Sequence, residues 1–135
     1  KGGRVKPGPW TGYALPNYSG VGVYRQTLTL SAEDVSMPLT LDLGQVLVAA
    51  EVFVNGKSAG IRLARPFTFD LFGLLREGDN TLEVRIANTI APHYTTIPSL
   101  AQGPTASGMI GPVTLYRVER RQAESSARSN ECFRP

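Results

Sequence analysis

Hydrophobic and polar residues alternate with a period of two through most of this chain. The alternation is clearest across residues 47–63. Val48, Ala50, Val52 and Val54 stand two apart, with Ala49, Glu51 and Phe53 between them. That spacing predicts a strand with one face on a core and the other toward water or a second layer. Asn55-Gly56 follows at once, and Ala59, Ile61 and Leu63 resume the alternation. Asn-Gly suits a two-residue type I′ turn, which needs positive φ at both central positions. A β-hairpin is therefore predicted here, and an all-β domain would grow outward from it.

The same period recurs on both sides. Residues 21–30 read as a strand with Tyr24, Leu28 and Leu30 on one face and Arg25, Thr27 and Thr29 on the other. Residues 31–37 are polar and are expected to turn the chain. Leu39, Leu41 and Leu43 mark an inward face, as do Phe67, Phe69 and Leu71, then Leu82, Val84 and Ile86. Between the last two sets, residues 72–76 suggest one helical turn that plugs the core with Leu74 and Leu75. Glu77-Gly78-Asp79-Asn80 suggests a tight turn by composition. Val113, Leu115 and Tyr116 supply a closing strand, and residues 88–109 show no sustained period. About seven short strands with almost no helix indicate an antiparallel β-sandwich rather than a parallel α/β sheet. The expected divisions are an N-terminal arm over 1–9, a sandwich over 10–118 and a polar, frayed or weakly helical tail over 119–135.

Composition narrows the function classes. A chain of 135 residues with 41% hydrophobic and 19% charged residues suits one globular domain. No apolar run approaches the roughly 18–20 residues needed to span a bilayer. No apolar segment follows the opening charges as a signal peptide requires. Pro7 and Pro9 among Gly2, Gly3 and Gly8, with no starting Met, suggest a linker from an upstream segment. The net charge of +3 resides in the arms: residues 7–115 hold six basic and eight acidic side chains. A nucleic-acid reader would carry clustered Lys and Arg on a structured face, so nucleic acid is not an expected partner. Cys132 is a lone thiol near the end of the chain and does not identify a redox compartment.

The ordered set of motifs resembles a known family. Pro-Asn-Tyr-Ser-Gly (16–20) precedes Val-Tyr-Arg-Gln-Thr-Leu-Thr-Leu (23–30) and Leu-Asp-Leu-Gly (41–44). Ala-Glu-Val-Phe-Val-Asn-Gly-Lys-Ser-Ala-Gly (50–60), Pro-Phe-Thr-Phe-Asp-Leu (66–71) and residues 74–89 follow, and Ser-Gly-Met-Ile-Gly-Pro-Val-Thr-Leu (107–115) ends the run. Together these resemble the sugar-binding, galactose-binding-like jelly-roll domain of glycoside hydrolase family 2. The version in large bacterial α-L-rhamnosidase-type hydrolases is the nearest likeness. The resemblance implies an accessory domain whose catalytic acids lie in a separate barrel, within a secreted or cell-surface bacterial hydrolase of O-glycosyl bonds. Its implied partners are carbohydrate, the catalytic domain of the same polypeptide, or both. It implies no cofactor, although some related jelly rolls hold a structural calcium on backbone carbonyls, which a sequence does not display.

The residues themselves agree that catalysis within this chain is not expected. A glycosidase needs two carboxylates about 5–9.5 Å apart across the scissile bond. Asp42, Glu51 and Glu83 alternate with core residues as solvated strand positions would, and Glu77 and Asp79 belong to a predicted turn. Asp70 is placed to accept from the backbone of the following turn, as an N-cap does. A single His and a tail Cys do not make a zinc site. Binding is the more productive reading. Sugars are held by aromatic rings on their apolar faces and by polar side chains on their hydroxyls. Trp10, Tyr13, Asn17 and Tyr18 form one candidate set, and His93, Tyr94 and Gln102 a second. For Trp10 the alternative is a ring covering the end of the core, and for Tyr18 a packed structural position. Three roles stay open: a carbohydrate-binding module, a scaffold shaping the mouth of a neighbouring active site, and an adhesion or protein-interaction module.

Overall fold

A computed structural model describes residues 6–10, 20–88 and 108–118. Strands dominate them: β1 (Gly8–Pro9), β2 (Val21–Leu30), β3 (Leu39–Asp42), β4 (Gln45–Val46), β5 (Ala49–Val54), β6 (Lys57–Arg62), β7 (Thr68–Asp70), β8 (Gly78–Ala87), β9 (Gly108–Gly111) and β10 (Thr114–Arg117). One short helix, α1 (Ala32–Ser36), joins β2 to β3. The first layer has the order β2-β8-β5-β6, with antiparallel pairing throughout. The second consists of β10-β3-β7 and β1-β9-β4. These two sheets are continuous, because β3 runs on into β4 and β9 into β10. Gly44 and Gly111 sit opposite each other where both strands bend. A Cβ on Gly44 would stand 2.5 Å from the Pro112 carbonyl oxygen, so the bend requires glycine. The architecture is the expected all-β jelly-roll sandwich, and among the described residues no helix is long and apolar enough to cross a membrane.

Inward-facing residues of both layers form one core. Leu41, Leu43, Phe69 and Leu71 from the second layer meet Val52, Val54 and Ile86 from the first, each at most 2% exposed. Burying a side chain of this size contributes about 1.5–3 kcal/mol. Phe67, Leu82, Val84 and Met109 extend the cluster, and Leu74 and Leu75 pack against it as half-buried neighbours. The predicted plug at residues 72–76 is a turn closed by Leu74 N–H donating to the Leu71 carbonyl at 3.1 Å. Asp70 Oδ1 accepts from Phe72 N–H at 2.9 Å, the capping role expected of it.

The central hairpin turns at Asn55 (φ 50°) and Gly56 (φ 81°), as the Asn-Gly pair predicts. Its return strand departs from expectation. Val54 pairs with Lys57 and Phe53 with Ser58, but Val52 pairs with Gly60, leaving Ala59 as the extra residue of a bulge. A one-residue shift moves every later side chain to the opposite face. Ile61 thus lies opposite Glu51 on the outer face at 55% exposure. Leu63, at 77%, is likewise not an inward residue. Arg62 takes the inward phase instead, and its guanidinium stands 5.3 Å over the Phe69 ring, sealing the edge of the core.

Three other segments differ from the sequence reading. Residues 32–36 form α1, capped by Ser31, whose hydroxyl accepts from Asp34 N–H at 3.2 Å while Asp34 Oδ2 accepts from Ser31 N–H at 3.1 Å. This reciprocal box offsets the unpaired donors of the first turn and makes one turn of helix stable where a plain turn was expected. Gly78, Asp79 and Asn80 belong to β8, because β2 is long enough to pair with them at Leu30, Thr29 and Leu28. Gly8 and Pro9, at the end of the expected arm, pair with Met109 and Gly108. The C-terminal tail beyond 118 lies outside the described residues.

Candidate functional site

Of the seven side chains singled out for sugar contact, Trp10 is described. Tyr13, Asn17, Tyr18, His93, Tyr94 and Gln102 lie outside the described residues. Trp10 is 3% exposed and belongs to the core. It occupies the core-covering position of the two weighed for it. Its ring is clamped between strands: a Cβ on Gly22 would come within 2.5 Å of Trp10 Cζ2, and one on Gly108 within 2.8 Å of Cδ1. Its indole Nε1–H donates to the Tyr24 hydroxyl at 2.7 Å.

Acidic side chains are engaged in turns and pairs. Asp42 Oδ1 accepts from Gly44 N–H at 2.8 Å, shaping the bend between β3 and β4. Asp79 Oδ1 accepts from the Thr29 hydroxyl at 2.6 Å. Glu83 lies on the outer face of the first layer, where it accepts from Arg25 at 2.6 Å and Arg85 at 2.7 Å. The bond from Arg25 and then that from Arg85 hold the Glu83 carboxyl below the usual carboxylate range. Arg85 also stacks over Phe53 at 4.4 Å. Asp34 accepts from Arg117 at 2.6 Å, and Arg117 first, then Ser31, lowers its pKa to about 2. Among the described residues no three His, Cys, Asp or Glu side chains gather as metal ligands would.

Concave surface occurs in two useful places. A shallow hollow of about 520 Å³ on the outer face is lined by Phe53, Asn55, Arg76, Thr81, Glu83 and Arg85. A larger groove of about 670 Å³ follows β2, where Val23, Tyr24, Arg25, Gln26 and Thr27 meet Leu82, Val84 and Met109, with Pro7 and Val113 beyond. This groove is the mouth of the sandwich on the β2 side. Tyr24, Gln26 and Leu28 share the inward phase of β2, opposite Val84, Leu82 and Asn80. Gln26 is nevertheless exposed, so the two layers part at that point. Gln26 is not among the contacts predicted from the sequence. A polar residue in a core-facing phase was the available signal.

The beta-galactosidase BoGH2A of Bacteroides ovatus is 32% identical over 133 aligned residues, taking in 89% of this chain. The chain is a jelly-roll domain of the glycoside hydrolase family 2 type. A rhamnosidase from Novosphingobium sp. PP1Y superposes on 82% of this domain with a TM-score of 0.69 and 29% identity. A Bacteroides uniformis beta-glucuronidase does so over 83% with a TM-score of 0.64 and 25% identity. A curated relative from Formosa agariphila is 38% identical over 73 residues, 53% of this chain. No protein-family model matches the chain. The domain spans a small part of these proteins: 15% of the Bacteroides ovatus relative, 6% of the Formosa relative and 12% of the rhamnosidase chain.

Proposed function

We propose that this domain is a non-catalytic accessory unit of a bacterial glycoside hydrolase, supporting the catalytic body of the same polypeptide. One observation carries the reading: most of the jelly roll aligns with a short stretch of far longer hydrolases. The engagement of Asp34, Asp42, Asp70, Asp79 and Glu83 in turns and pairs supports it. A secreted or cell-surface location belongs to the same proposal. The test has two arms. The purified 135-residue chain is expected to leave nitrophenyl β-glucuronide, β-galactoside and α-rhamnoside intact, and turnover of any of them would overturn the non-catalytic assignment. Excising this segment from a full-length hydrolase that carries it is expected to cost soluble, active enzyme. An excised enzyme of unchanged yield and activity would remove the supporting role.

A second reading, direct contact with carbohydrate, is favoured by the groove along β2. In this reading Tyr13, Asn17, Tyr18, His93, Tyr94 and Gln102 remain candidate contacts. Retardation of the chain in gels containing soluble polysaccharide tests it.

A further inference from the structure

We propose that the groove along β2 is a subsite for an uncharged sugar, gripped by Tyr24 and Gln26 over an apolar floor. The inference rests on the carbohydrate-contact reading above and gives it residues outside the loop candidates. An indole N–H can only donate, so the Tyr24 oxygen is the acceptor in its bond with Trp10. The phenol proton remains available, and among the described residues nothing accepts it. Trp10, buried and clamped between Gly22 and Gly108, holds that oxygen in place. The hydroxyl is thus a preset donor on a ring that lines the groove.

Gln26 supplies the second group. It is exposed, shares the inward phase of β2 with Tyr24, and lines the same groove. Its amide makes no hydrogen bond among the described residues, so it can both donate and accept. Two residues along a strand separate the two groups by about 7 Å. Leu82, Val84 and Met109 form the floor between the layers. A ligand matching this surface has an apolar C–H face and hydroxyls at its edge, which is the chemistry of a pyranose ring. The volume, about 670 Å³, falls within the usual 300–1,000 Å³ of small-ligand sites.

Charge sets the sugar class. Arg25 also lines the groove, but its guanidinium is tied to Glu83 on the outer face rather than aimed between Tyr24 and Gln26 over the floor. Neither Tyr24 nor Gln26 carries a charge, so an uncharged hexose or deoxyhexose fits better than a uronate.

The test uses the 135-residue chain in affinity electrophoresis against galactan, xylan and polygalacturonate. Retardation by a neutral polysaccharide is expected, weakened about tenfold by Tyr24→Phe and by Gln26→Ala, the loss of one hydrogen bond each. Lys57→Ala, on the far edge of the sheet, should bind as the parent does. Tyr24→Phe also removes the acceptor of the Trp10 indole N–H, so Gln26→Ala, which leaves that bond intact, keeps the test sound. Absence of retardation on every polymer overturns the subsite and leaves the supporting role standing. Binding lost in Tyr94→Ala but unchanged in Gln26→Ala and Tyr24→Phe also overturns it, while upholding carbohydrate contact through the loops. Preference for polygalacturonate overturns the uncharged class.

Discussion

At the scale of single residues, Asn80 shows how a polar side chain earns a place in an apolar interior. It is 1% exposed. Its Oδ1 accepts from Arg76 N–H and Asn55 Nδ2, both at 2.9 Å, and its Nδ2 donates to the Arg76 and Gly78 carbonyls at 2.7 and 3.1 Å. Asn55 in turn accepts from Thr81 N–H at 2.9 Å, so the tip of the central hairpin is tied to the start of β8. Replacing Asn80 with Ala leaves several buried groups without partners and is expected to cost about 2–3 kcal/mol in urea unfolding. Asn80→Asp should cost more, since it removes both donors and buries a carboxylate. None of this was legible locally. Glu77-Gly78-Asp79-Asn80 has the composition of a turn, and the burial of Asn80 depends on a partner 25 residues away.

At the scale of elements, α1 is held to the closing strand by charge. Arg117 on β10 meets Asp34, whose carboxyl is lowered from 3.8 to about 2. A carboxyl depressed in the folded state contributes stability that is present above its unfolded value, near 3.8, and lost as pH falls through about 2. Arg117→Ala should therefore let the Asp34 pKa climb toward 3.8, read by NMR titration of its side-chain carboxyl. Melting between pH 4 and 2 should become correspondingly less dependent on Asp34. The alternation of apolar residues made β2, β3, β5, β7 and the core of β8 legible, since each buries one face. The exceptions also had signals. Ser31 with Asp34 three residues later is a capping pattern. Gly60 inside an alternating run is the mark of a bulge. Period alone does not report either, because both act through backbone hydrogen bonds.

At the scale of the whole molecule, both layers share one core, and Trp10 belongs to it although it precedes the first long strand. The isolated chain is accordingly expected to unfold in a single transition, with far-UV and near-UV circular dichroism melting together. Separate transitions would indicate that the β1-β9-β4 sheet forms a unit apart. The candidate site was far less legible than the fold. Exposed rings are what a sequence offers as sugar contacts, and Trp10, which fits that pattern, is part of the packing. What marks the groove is the parting of two sheets, a property of their geometry in which one exposed glutamine is the visible trace.

The bond between Trp10 and Tyr24 has an optical consequence. The chain holds a single tryptophan, so its emission comes from one known place. That indole donates to the very phenol whose ring lines the groove. Anything that seats itself at the mouth and claims the phenol proton will polarise the oxygen facing the indole. The wavelength of its fluorescence then becomes a label-free gauge of whether the mouth is empty or full.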